Sequence, residues 1–426
     1  MSETVTQQSN KIQQFNKSSI LLTKNLSKDV KKTHGIYFTP PSISHQLVTK
    51  ALSHVHLPNT SVISILEPSC GSCEIISAID AATTDFNRKN ISITGIELNA
   101  DIYTEISTLT FNSPTELIHA DFLSIEDDKE YDAILGNPPY FVCKKEAVPP
   151  KYREFIVGRP NMFGIFILHS LAKLKIGGIL AFVIPKSFLN SMYYAKIRNY
   201  IKQTCRILAI DDYKTNNDFL DTKQATFGLI IQKNKGEIND CINDCIYSLS
   251  LNGNFIFTPN AEHLKTFFEN STTIQQLGLA VKTGPIVWNE NKARLTNDDT
   301  QTILLYNTNV TNDNKIKLTT FKNDEKTQYI NADGSTEPII VVNRGNGNAS
   351  YKFKYALVDR LMPFVVENHL NIIYSPKPME KTKLINIYKQ VIRGFENPKT
   401  EKFIDMFFGN NGLSKTELET IVPIYL

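Results

Sequence analysis

VISILEPSCGSCEIISAIDAATTDFNRKNISITGIEL, residues 62–98, reads as one passage of strand, helix and strand. VISIL (62–66) is an apolar run of strand length, EPSCGS (67–72) is a turn of small and polar residues, EIISAIDAA opens a helix, and ISITGIEL (91–98) is a second apolar run. Short apolar runs separated by helical lengths build βαβ units, whose parallel strands are buried on both faces. The same rhythm continues through ELIHA (116–120), YDAILGN (131–137), GGILAFVIP (177–185), RILAIDDY (206–213) and ATFGLIIQK (225–233). Residues 33–235 are therefore expected to form an α/β domain, a doubly wound Rossmann-like sheet, mainly parallel, with helices on both faces.

After QKNKGEIND (232–240) the rhythm is lost, which sets a domain boundary near 235. TILLY (302–306), PIIVVN (338–343), YKFKYALV (351–358) and LNIIYSP (370–376) read as scattered strands, followed by amphipathic helix from Lys381, so 236–426 is expected to be a second, mixed α+β domain. Residues 1–32 are rich in Ser, Gln, Asn and Lys and read as a polar arm or solvated helix. A chain of 426 residues with 41% apolar and 21% charged residues fills a sizeable core, which excludes a wholly disordered chain.

A net charge of +3 is too small to announce a nucleic-acid partner by itself. No apolar run approaches the ~20 residues that cross a bilayer, and MSETVTQQSNKIQQFNKSS lacks the apolar core of a signal peptide. A cytoplasmic, intracellular protein without membrane contact is expected. The pairs Cys70/Cys73 and Cys241/Cys245 stand in unlike contexts with no matching set of His ligands, so reduced, packed thiols and no metal are expected.

The chemistry concentrates where strands end. Asn137-Pro138-Pro139-Tyr140 follows the run YDAILG directly, and ligands of open parallel sheets bind beyond the carboxyl ends of strands. Two prolines remove two backbone donors and leave carbonyl acceptors. The Asn137 side-chain oxygen and the Pro138 carbonyl can each accept an N–H of an exocyclic amine, and Tyr140 offers a flat face to a base. A proline turn with a capping Asn is the plain alternative. Glu67 to Ser72, with Ser69 and Gly71, opens a helix whose N-terminus suits a carboxylate. Glu97 closes the next strand, where an acid can take the hydroxyls of a ribose, and Asp121-Phe122 closes the third, where the acid can accept from a purine amino group while the ring packs on the base. Three acids at successive strand ends point to a nucleoside pocket.

Together these residues resemble the N6-adenine DNA methyltransferases of the gamma motif order, the TaqI-type modification enzymes. GIYFTPP (35–41) is similar to the family's opening segment, with Tyr37, Thr39 and Pro40 toward the methionine part of S-adenosylmethionine. The resemblance implies S-adenosylmethionine as the cofactor, held by Glu67, Ser69, Gly71, Glu97, Leu98, Asp121, Phe122, Asn137, Pro139 and Phe166, with Asn137–Tyr140 as the catalytic tetrad. It further implies a double-stranded DNA substrate, a flipped adenine held between Tyr140 and Phe219, and a target-recognition domain at 236–426. A monomer in catalysis is expected, with pairing to a separate cognate restriction endonuclease left open.

Cys73 stands where the family usually has glycine, and Glu74 adds negative charge near the expected carboxylate site. The tetrad would serve any planar amine or amide, so methylation of RNA or of a protein glutamine is an alternative, and Cys73 and Glu74 lend weight to another, a catalytically silent DNA-binding subunit. In the second domain, Arg344 within Asn343–Asn348 could meet a guanine edge, and a plain glycine-rich hairpin loop fits that stretch equally.

Overall fold

In the computed structural model, described for residues 15–55, 62–85, 90–213, 225–235, 246–251, 254–321, 325–345, 351–359, 362–408 and 412–426, seven strands of the N-terminal half form one sheet. They are β1 (Ile63–Glu67), β2 (Ile91–Glu97), β3 (Thr115–His119), β4 (Tyr131–Gly136), β5 (Leu174–Pro185), β6 (Cys205–Asp212) and β7 (Thr226–Lys233), each on a run expected to be extended. The order is β3-β2-β1-β4-β5-β7-β6. β1 to β5 pair in parallel, and β7 lies antiparallel between β5 and β6.

Burial on both faces explains the continuous apolar runs. Along β5, Ile179, Ala181 and Val183 enter one core while Leu180, Phe182 and Ile184 enter the other. The helices α1 (Lys17–Asn25), α2 (Lys28–His34), α3 (Pro41–Ser53), α4 (Glu74–Asp85) and α5 (Ala100–Ile106) supply the first face; α6 (Met162–Lys173) and α7 (Ala195–Thr204) supply the second. A sheet covered by helices on both sides is the doubly wound α/β arrangement.

The N-terminal stretch departs from the expected solvated arm. Asn16 caps α1, accepting from the Ser19 N–H at 2.6 Å, and Leu22 and Leu26 are buried in the first core. Ser19 Oγ, fully buried, lies 2.7 Å from Ser72 Oγ and 2.5 Å from Glu74 Oε1. Serine anchors carry no hydropathy signal, so the segment reads as polar although its partners are polar groups inside the fold.

The chain divides into two compact units, Met1–Ser250 with Asn254–Ala261 and Leu251–Gly253 with Glu262–Leu426. The first unit thus extends past 235, because the hairpin β8 (Ser248–Leu251) and β9 (Asn254–Phe257) brings Phe257 into its second core and Phe255 against it. The buried Arg198 guanidinium fixes that return, donating to the carbonyls of Phe255, Phe188 and Ser191 at 2.8 Å each.

The second unit is α+β. β10 (Ala280–Thr283), β11 (Leu295–Thr296), β12 (Thr302–Leu305), β13 (Tyr329–Ile330), β14 (Ile339–Asn343), β15 (Tyr355–Val358), β16 (Phe364–Val366) and β17 (Leu370–Tyr374) make two four-stranded sheets, β10-β17-β14-β15 and β11-β13-β12-β16. Helices α8 (Ala261–Lys265), α9 (Lys381–Phe395), α10 (Pro398–Phe408) and α11 (Lys415–Thr420) accompany them, α8 beginning at the boundary itself.

Candidate active site

β1 and β4 are neighbours, so the chain winds outward in both directions from them, and a cleft opens beyond their carboxyl ends. A cavity of about 620 Å³ occupies that place. Its wall contains Tyr37, Ser69, Gly71, Glu97, Leu98, Asp121, Phe122, Asn137, Pro139 and Phe166, contributed by the ends of four strands, the segment after α2, and α6. Thr39, Pro40, Glu67, Pro138 and Tyr140 lie outside the wall. Phe219, Cys241 and Cys245 fall outside the described residues. Arg344 belongs to the second unit, where its guanidinium donates to the Asn368 carbonyl at 2.9 Å.

Glu97 is built into the turn it faces. Oε2 accepts from the Gly71 N–H at 2.9 Å and Oε1 from the Asn99 N–H at 2.8 Å. Burial pushes its carboxyl above the ordinary range, against the pull of those N–H groups. Asp121 is exposed and caps the turn Phe122–Ser124, accepting from the Leu123 N–H at 3.0 Å. Phe122 is held from behind by Phe166, centroids 5.3 Å apart, and by the edge of His169 at 4.6 Å. His169 Nδ1 meets the Tyr152 hydroxyl at 2.9 Å, and burial lowers the imidazole to about 4, so it is neutral there.

Asn137 has a fixed amide. Its Nδ2 donates to the Tyr37 carbonyl at 2.9 Å, which makes Oδ1 the acceptor on the other side, and there it takes the Tyr140 hydroxyl. Among the described residues no N–H donates to the Pro138 carbonyl. The Tyr140 ring is tilted on Tyr37 and meets Phe163 edge-on, both at 6.1 Å. Gly35 permits the approach: it caps α2 at φ 62°, and a Cβ there would stand 2.6 Å from the Tyr140 nitrogen.

The two departures from the family pattern resolve differently. Cys73 adopts φ 61°, a left-handed conformation that glycine tolerates and other residues pay for, so the usual glycine has a backbone reason. Glu74 does not face the cavity; its carboxylate accepts from the Asn16 N–H at 2.9 Å and meets Ser19. Glu67 is likewise turned inward, accepting from the Ile76 N–H at 3.2 Å, and burial holds its carboxyl well above the ordinary range.

Sequence reasoning missed one side of the wall: His34, Phe141, Met162 and the run Glu146-Ala147-Val148-Pro149-Pro150. The signal was the second proline pair, Pro149-Pro150, shortly after the tetrad. The wall as a whole fits S-adenosylmethionine. An inward acid at Glu97 suits a ribose, Asp121 beside Phe122 suits an adenine, and the volume is within the ~300–1,000 Å³ usual for ligands of this size.

Residues 8–219 match the family described as Eco57I restriction-modification methylase. The modification methylase CviBIII of Paramecium bursaria Chlorella virus NC1A is 28% identical over 424 residues, spanning 97% of this chain and 100% of the relative. The type II methyltransferase M.CvrRI of Paramecium bursaria Chlorella virus XZ-6E is 25% identical over 416 residues, spanning 96% and 99%. Among solved structures, the methyltransferase subunit of a type I restriction-modification system from Streptococcus thermophilus is similar over 55% of this chain and 53% of its own, at 18% identity and a TM-score of 0.37.

Proposed function

Since residues 8–219 match the Eco57I restriction-modification methylase family, we propose that this chain is a site-specific DNA methyltransferase that carries a methyl group from S-adenosylmethionine to N6 of an adenine extruded from duplex DNA. The observation that carries this reading is the place of Asn137, which lines the same cavity as Glu97 and Asp121. A group able to hold an amine therefore borders a pocket able to hold a nucleoside.

Bound there, S-adenosylmethionine supplies an electrophilic methyl group. Glu97 holds the ribose hydroxyls, Asp121 accepts from the adenine amine of the cofactor, and Phe122 and Phe166 pack on its ring. Asn137 Oδ1 and the Pro138 carbonyl accept the two N–H bonds of the substrate amine, which draws the nitrogen lone pair out of conjugation with the ring. The Tyr140 face meets the positive charge that develops on nitrogen. Catalysis is thus positioning and electrostatics, with the surplus proton released to water. A base inside the helix cannot reach Asn137, so the adenine leaves the stack, with Phe219 proposed as its second stacking partner. The second unit, with Arg344, is proposed to read the target sequence, and the chain is proposed to act as a monomer.

The test is incubation of unmodified DNA with the full chain and S-adenosylmethionine, followed by mapping of modified bases. N6-methyladenine confined to one short sequence is expected. Modification at cytosine, or methylation of RNA or protein glutamine in place of DNA, overturns the reading.

A further inference from the structure

Directly after the tetrad the chain runs Phe141-Val142-Cys143-Lys144-Lys145, and its side chains alternate. Phe141 lines the cavity and Cys143 is half-buried against the second core, while Val142 is 59% exposed and Lys144 and Lys145 are exposed. The backbone is extended, with Lys144 at φ −74° and ψ 151°, which puts Val142 and Lys144 on the same outward side. The segment is also anchored. Val142 bridges antiparallel to Asn161, the Cys143 N–H donates to the Pro160 carbonyl at 3.0 Å, and the Met162 N–H donates to the Phe141 carbonyl at 2.9 Å.

An exposed apolar side chain on an anchored edge, two residues beyond Tyr140, is the first of two features that matter here. The other is charge. Exposed Arg159 closes the same excursion, and among the described residues none of Lys144, Lys145 and Arg159 has a carboxylate partner. Arg153, by contrast, is folded back onto the Val148 carbonyl at 3.1 Å. Unpartnered cations clustered next to an apolar point on an anchored edge match the needs of strand opening: phosphates are gripped beside a base step while an apolar group takes the space that the departing base leaves.

We propose that Val142 is the wedge that enters the base stack when the target adenine leaves it, and that Lys144 and Lys145 grip the phosphates beside it. The proposal rests on the reading of the chain as a DNA methyltransferase acting on an extruded adenine. Val142 contributes only to extruding a paired base, whereas the lysines contribute to every DNA substrate.

The experiment uses the full chain and two duplexes carrying its mapped site, one fully paired and one with an abasic position opposite the target adenine. Val142→Ala should lower kcat/KM on the paired duplex roughly tenfold, and leave the abasic-opposed duplex within about twofold of the unaltered protein. Lys144→Gln with Lys145→Gln should raise KM on both, and reduce the slope of log KM against log salt by about 2. S-adenosylhomocysteine titration confirms that each variant keeps its cofactor pocket. Equal effects of Val142→Ala on the two duplexes, or none, overturn the wedge, and an unchanged salt slope overturns the grip. An unaltered protein that methylates neither duplex overturns the underlying reading instead.

Discussion

The Tyr140 hydroxyl rests against Oδ1 of Asn137 and lies 2.8 Å from the Val183 carbonyl, so the acceptor proposed for the substrate amine is already engaged. Burial pushes the phenol well above its ordinary range, so this is a neutral hydroxyl that a substrate N–H displaces rather than a charge it must overcome. Tyr140→Phe keeps the ring and frees Oδ1, and kcat is expected to stay within about threefold. Tyr140→Ala removes the face that meets the developing charge, with a loss of roughly thirtyfold, equivalent to about 2 kcal/mol. Asn137→Ala should abolish turnover while S-adenosylhomocysteine binds almost as before. Single-turnover kinetics beside calorimetry checks all three, and a near-normal rate for Asn137→Ala sinks the tetrad assignment.

Glu97, proposed to hold the ribose hydroxyls, should make cofactor affinity depend on pH. The ionised carboxylate is the better acceptor for ribose hydroxyls, and burial raises the carboxyl above its ordinary range. Affinity for S-adenosylhomocysteine is therefore expected to fall on acidification, beginning at a higher pH than a solvent-exposed glutamate would require. Glu97→Gln should bind more weakly, and show that pH dependence no longer. Titration calorimetry across a pH series decides it. The same slope in Glu97→Gln would assign the effect to another group.

At Cys73 the usual order of small substitutions should invert. Glycine ordinarily costs roughly 0.5–1 kcal/mol more than alanine through lost chain entropy, but a non-glycine residue in the left-handed region costs roughly 1–2 kcal/mol, and φ there is 61°. Both substitutions delete the same buried thiol. Cys73→Gly is thus expected to melt at or above Cys73→Ala. Alanine melting clearly higher would show that the turn relaxes.

How much of this was legible beforehand follows from what hydropathy records. The central strands of the first unit announce themselves because both faces are buried, which makes a strand such as β5 a continuous apolar run, GGILAFVIP, whereas β3 at the sheet edge has no buried residue. The acids Glu97 and Asp121 could be read because strand ends in this architecture have a known use. The anchoring of α1 was hidden, since Ser19 and Glu74 bury polar atoms against each other and only Leu22 and Leu26 add apolar weight. Orientation was hidden too: nothing in the string EPSCGSCE tells that Glu67 and Glu74 turn away from the cleft while Gly71 lines it. The hairpin after 245 was missed because the polar stretch before it reads as a linker, and the short run NFIF belongs to the core it returns to.

Glu67 separates structure from ligand. The residue is 2% exposed and outside the cavity wall, and burial holds its carboxyl well above the ordinary range. A folded-state value raised in this way means that stability is greatest below the ordinary carboxyl range and declines as pH rises toward the raised value. Glu67→Gln keeps an acceptor for the Ile76 N–H without a charge. It should melt higher than the unaltered protein, by a margin that grows with pH, and bind S-adenosylhomocysteine unchanged. A large loss of affinity would make Glu67 a cofactor ligand after all.

The boundary between units gives the last test. A fragment ending at 235 would remove Phe255 and Phe257, and with them the carbonyl that takes the Nε proton of Arg198 at 2.8 Å. Arg198 is fully buried, and a buried guanidinium that loses one hydrogen bond costs roughly 1–3 kcal/mol before the lost apolar contacts are added. A fragment ending at 261 retains the hairpin and the whole cavity wall. The 1–261 fragment is expected to melt cooperatively, with a midpoint that rises when S-adenosylhomocysteine is added, and the 1–235 fragment is expected to melt lower or without a sharp transition. In a competition between target and scrambled duplex, 1–261 should bind both weakly, equally and with a steep salt dependence, as phosphate contacts alone would give. If 1–261 prefers the target duplex as strongly as the full chain does, recognition resides in the first unit. A 1–235 fragment as stable as 1–261 would show that the hairpin contributes nothing to the core it enters.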